Sequence, residues 1–169
     1  MKLLGLTLIV ISSGLCGINY VSARKDRLAE LDSFISMLEL IKAELVSNQS
    51  PLPVILHKIS ENICGKASDF AKLMLLNLSV LGEKGFDRIW TESLRACEPS
   101  FSNEEQQAIM KLGAILGKYE IKFQSQAIEE SLWLLKKHEE SCSAAYPQAK
   151  RLSLGLSVSA GLMLAIILV

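Results

Sequence analysis

Through the middle of this chain apolar residues recur at intervals of three and four, the period of a helix that buries one face. Leu28, Leu31, Phe34, Ile35, Leu38, Ile41 and Leu45 keep that spacing with no Gly or Pro between them. An uncharged stretch, Leu3 to Ala23, precedes them without a break, so one helix is expected from Leu3 to about Val46. Asn48-Gln49-Ser50-Pro51 should end it, with Ser50 as N-cap and Pro51 as first-turn proline of a second helix. That helix, Pro51 to Ile63, would bury Leu52, Ile55, Leu56 and Ile59. A third, Ala67 to Leu81, sets Phe70, Leu73, Met74, Asn77 and Val80 on one side, and Gly82 and Gly85 bracket the turn after it. A fourth, Phe86 to Cys97, directs Phe86, Ile89, Trp90 and Leu94 inward and closes before Pro99.

Ser102 and Glu105 have the spacing of a capping box, with Phe101 in the staple position. A fifth helix is therefore expected from Asn103 to Gly117, burying Ile109, Leu112 and Leu116. Beyond Gly117, Ile121, Ile128, Leu132, Leu135, Cys142 and Tyr146 lie near a seven-residue repeat. Ser125 and Glu139 interrupt that seam, which fits packing on the first helix better than a free coiled coil, and Pro147 is expected to kink the helix.

The two ends change the class of protein. Leu152 to Val169 carries no charge, follows Lys150 and Arg151, and covers roughly 27 Å as a helix, close to the ~30 Å hydrocarbon core of a bilayer. Leu3 to Ala23 covers about 31 Å and is closed by Arg24, Lys25 and Arg27. Val21-Ser22-Ala23 would serve as a signal-peptidase site, but the apolar run is long for a signal sequence and its positive charges follow it, so an anchor is expected. Basic residues on the inner flank of both spans place the centre in the cytoplasm and both termini on the outer face. Small residues at Ser153, Ser157, Gly161 and Ala165, and at Ser13 and Gly17, are candidate packing faces for the spans. The fold class is all-α: a membrane-anchored bundle of about six helices with N- and C-terminal transmembrane helices, divided as residues 1–23, 24–151 and 152–169.

Chemistry adds little. The chain has 169 residues, with Lys plus Arg equal to Asp plus Glu at 18 each, which argues against a nucleic-acid partner. Cys16, Cys64, Cys97 and Cys142 form no CxxC pair, and His57 and His138 complete no metal spacing, so no metal or cofactor is expected. There is no phosphate loop and no nucleophile elbow, hence no small-molecule substrate and no enzyme. Glu104-Glu105, Glu129-Glu130 and Glu139-Glu140 are read as solvated helix faces, and His138 as a surface residue. A membrane adaptor or sensor, or an exported tail-anchored domain, would share most of this pattern.

One ordered set of segments narrows the choice. It comprises the opening MKLLG, Leu38-Glu39-Leu40-Ile41-Lys42-Ala43-Glu44 before Ser50-Pro51-Leu52, Trp90 with Ser93-Leu94, Leu116-Gly117 before Glu120 and Gln124, and the Leu-rich C-terminal end. In these the chain resembles the stage III sporulation protein AB family of endospore-forming bacteria. The resemblance implies a membrane protein of the mother cell, in the membrane around the forespore, belonging to the channel-like complex that joins the two. It further implies a central region similar to the cytoplasmic domains of the type II secretion platform protein F. Its partners would be the bilayer, the assembly ATPase stage III sporulation protein AA and other membrane proteins of the complex. Glu44, Glu120 and Gln124 are the candidate partner-contacting residues.

Overall fold

The computed structural model describes residues 22, 24–78 and 85–144, and its elements include a π-helical turn and the α-helices α1 (Lys2–Ala43), α2 (Leu52–Asn62), α3 (Lys66–Asn77), α4 (Phe86–Ala96), α5 (Asn103–Ile115) and α6 (Ile121–Leu168). There is no strand among the described residues. The chain divides into two units, one holding residues 1–28 and 140–169 and the other residues 29–139.

In the first unit, Arg24 and Arg27 of α1 and Cys142 of α6 line a hollow of about 330 Å³. Both proposed spans, the small residues Ser13, Gly17, Ser153, Ser157, Gly161 and Ala165, and the expected kink at Pro147 lie outside the described residues. Among the described residues no helix is long and apolar enough to cross a membrane.

In the second unit the buried faces follow the periodicity except at Leu52, Leu73 and Phe86, which are half-buried, and at Asn77, which is exposed. Leu31, Phe34, Ile35, Leu38, Ile41 and Leu45 are buried on one side of α1 and the turn after it. Against them come Ile55, Leu56 and Ile59 of α2, Phe70 and Met74 of α3, Ile89, Trp90 and Leu94 of α4, Ile109 and Leu112 of α5, and Ile128, Leu132 and Leu135 of α6. A chain of aromatic rings crosses this core. Phe34 meets Phe101 edge-on at 4.8 Å and Phe70 at 6.2 Å, and Phe70 meets Trp90 edge-on at 4.8 Å. Edge-on pairs of this kind add about 0.5–1.5 kcal/mol each beyond the area they bury. On the surface of this unit α6 is ion-paired to α1 through Lys42 with Glu129 and Lys136 with Glu39, each at 2.6 Å.

Helix ends follow local chemistry with one departure. Ser102 and Glu105 form the capping box: Ser102 Oγ accepts from the Glu105 amide at 3.3 Å, and Glu105 Oε2 accepts from the Ser102 amide at 2.7 Å. Phe101, the staple residue, has its ring against Phe34. The departure is at the end of α1, where the last turn widens into a π-helical turn, Glu44–Asn48, and Gln49 takes a left-handed conformation with φ 49°. Ser50 does not cap α2. Pro51, in extended conformation, holds that position, and Ser50 Oγ donates to Glu44 instead. Gly117, at φ +78°, makes the corner after α5 that an L side chain would strain.

Candidate functional site

The residues singled out in the sequence come from two turns of the second unit, the one after α1 and the one before α6. In the first, the wide turn tips Glu44 inward while its carbonyl accepts the amides of Gln49 and Ser50. Its buried carboxylate accepts from Lys58 Nζ at 2.7 Å, Ser50 Oγ at 2.7 Å and Asn48 Nδ2 at 3.1 Å. These hydrogen bonds, Lys58 foremost, hold the Glu44 carboxyl down at about 2, from an ordinary value of 4.5, against the opposing effect of burial. Glu44 thus fastens the end of α1 to α2.

The second turn is fastened by Gln124, also buried. Its Nε2 donates to the Tyr119 carbonyl and its Oε1 accepts from the Gly117 amide at 3.3 Å, so one side chain bridges the whole corner. Glu120 is exposed at the start of α6, where its carbonyl accepts the Phe123 and Gln124 amides. The two turns share a border. Val46 from the first and Ile121, Lys122, Ser125, Gln126 and Glu129 from α6 line one hollow of about 640 Å³. Of the three candidates, Glu44 and Gln124 are bonded inside the fold and Glu120 faces outward.

The other residues of the matching segments are structural in position. Trp90 Nε1 donates to the Ile109 carbonyl at 2.8 Å, and buried Ser93 accepts from Asn77 Nδ2 at 3.4 Å. Among the described residues no group of His, Cys, Asp and Glu could hold a metal ion. Cys64, Cys97 and Cys142 are free thiols, and burial, with the negative charge of Asp69, pushes the Cys97 thiol up.

Two expectations about charge need correction. Glu105 is completely buried, not solvated, and His138 is largely covered. Glu105 Oε1 lies 2.7 Å from His138 Nδ1, and His138 Nε2 lies 3.7 Å from a carboxylate oxygen of Glu104. The adjacent carboxylates diverge because neighbouring helical positions point about 100° apart, so Glu104 reaches water while Glu105 turns into the interface between α5 and α6. The surface holds something else that the sequence reading passed over. Tyr119, Phe123 and Trp133 are large aromatic residues left exposed; the signal for Phe123 and Trp133 was present as positions on α6 opposite Ile128, Leu132 and Leu135, whereas Tyr119 lies in the turn before the helix.

Comparison with known proteins agrees with these segments. A family model described as "Stage III sporulation protein AB" matches residues 2–169. A solved structure described as stage III sporulation protein AB superposes with a TM-score of 0.64 at 19% identity, covering 72% of this chain and 97% of that one. At that identity the likeness is one of fold. No match to a curated protein was found.

Proposed function

This chain belongs to the stage III sporulation protein AB family, and on that premise we propose that it is a non-enzymatic platform that couples an assembly ATPase to membrane components of the mother cell–forespore channel complex. The supporting observation is the end of the second unit where the turn after α1 meets the start of α6. Its interior groups, Glu44 and Gln124, are committed to bonds within the fold, while Glu120, Val46, Tyr119 and Phe123 stand outward. An arrangement of fixed turns beneath exposed side chains suits docking rather than a reaction, because docking rewards preorganised backbone and catalysis needs converging reactive groups. The ATPase is proposed to be stage III sporulation protein AA, approached from the cytoplasm, with residues 1–23 and 152–169 holding the chain in the mother-cell membrane. The experiment is a cross-linking pull-down from sporulating cells. Glu120→Lys should reduce recovery of the ATPase while circular dichroism stays helical, and wild-type recovery would remove Glu120 from the contact.

A further inference from the structure

Phe123 and Trp133, both exposed, fall on one side of α6. Ile128, Leu132 and Leu135 mark the inward side of α6. At 3.6 residues per turn, Phe123, Gln126, Glu130, Trp133 and Lys137 occupy the opposite side, and Tyr119, in the turn before the helix, lines the same hollow as Phe123, Gln126 and Glu130. The steps of three and four along α6 are those of a helix–helix seam. Phe123 and Trp133 are 59% and 65% exposed, whereas Phe34, Phe70 and Trp90 are wholly buried, so this seam holds aromatic surface that the fold itself leaves uncovered.

The chemistry of the seam reads alike from either end. Laid antiparallel on a second copy, with the two-fold axis level with Ile128, Phe123 meets Trp133, Gln126 meets Glu130, and Tyr119 meets Lys137. Those contacts are ring on ring, amide on carboxylate and cation over ring, all favourable. A parallel pairing would set Glu130 on Glu130 and Lys137 on Lys137. Two of these chemistries already occur along the helix: Gln126 Nε2 lies 3.4 Å from Glu130 Oε1, and Lys137 Nζ stands 5.1 Å over the Trp133 ring. A hollow of about 400 Å³ between Ile115, Phe123 and Ala127 opens beside the seam, where Trp133 of the second copy would arrive. Contacts of residue i with j and j with i are what a two-fold interface demands.

We propose that this face of α6 is the interface of an antiparallel, two-fold homodimer. The proposal goes beyond the platform reading and is independent of it, since the dimer forms with or without an ATPase. The test uses the full chain in detergent micelles, its protein mass measured by light scattering. The wild type should be dimeric. Phe123→Glu and Trp133→Lys should each weaken the dimer by at least about 30-fold with unchanged helicity, the loss expected for an aromatic anchor at an interface. Mixing the two variants should restore a dimer, because the introduced acid of one faces the introduced base of the other while the second ring contact is native. Gln126→Glu, which opposes two carboxylates at each crossing, should weaken the dimer likewise and serves if a bulkier change disturbs folding. A monomeric wild type, a dimer indifferent to these changes, a mixture no more dimeric than its components, or a monomer that binds lipid vesicles or another protein through this face would each overturn the proposal.

Discussion

Trp90 lies against the bare Cα of Gly113, so close that a Cβ there would come 2.5 Å from Trp90 Cγ and 2.6 Å from Cδ1. That approach carries the indole N–H to the Ile109 carbonyl, 2.8 Å away and one turn back along α5. In an open helix Gly→Ala is stabilising by roughly 0.5–1 kcal/mol. Here the sign reverses, because the atom in the way belongs to a wholly buried ring that α3 and α4 hold in place. Gly113→Ala should destabilise by about 1–3 kcal/mol through overpacking, seen as a lower urea midpoint at unchanged slope.

Buried Glu105 sets up a second measurement. Its carboxylate serves the capping box with one oxygen and faces His138 with the other, so α5 is tied to its own first turn and to α6 at once. Ser102→Ala should cost about 1 kcal/mol, the ordinary value of a cap. His138→Ala should cost about 1–3 kcal/mol, since it withdraws a partner from a carboxylate that water does not reach. Both act through Glu105, so the double variant should depart from additivity by about 0.5 kcal/mol or more in chemical denaturation.

The helical architecture was legible because three- and four-residue spacing is a property of the sequence itself. Every apolar position from Leu31 to Leu45 assigned to the face of α1 is buried, and the Ser102–Glu105 cap has the geometry its spacing implies. Features set by residues far apart were not legible. Nothing near Glu105 announces that His138 will arrive 2.7 Å from it, and no local rule tells Ser50 to donate to Glu44 rather than cap α2. At the candidate site, the matching segments led to Glu44, Glu120 and Gln124, but only tertiary contacts separate the two that brace turns from the one that faces outward.

That separation can be measured at the corner between α5 and α6. Gln124→Ala removes both bonds that span Gly117 to Tyr119, and should cost about 1–2 kcal/mol in thermal or urea unfolding. Glu120→Lys, on the surface four residues earlier, should change stability by no more than about 0.5 kcal/mol. A binding defect in Gln124→Ala would therefore be confounded with loosening of the turn, whereas one in Glu120→Lys would report on contact.

Glu44 predicts how stability depends on pH. Its carboxyl is held at about 2 in the folded chain by Lys58, Ser50 and Asn48, below the 4.5 of a free side chain. Because the folded value is the lower, the unfolded chain binds the proton first as acid is added. The stabilisation is complete above about pH 5 and is lost progressively as pH falls toward 2, with the steepest loss between the two values. Glu44→Gln keeps the shape but cannot ionise, so its unfolding midpoint should be lower than wild type at pH 7 and approach it near pH 2. Lys58→Met should flatten the same limb of the wild-type curve, since Lys58 is the largest contributor to holding the proton off. Parallel urea titrations of the three chains between about pH 2 and pH 7 would decide it. Curves that keep a constant separation across that range would mean that the Glu44 charge does not fasten the end of α1 to α2.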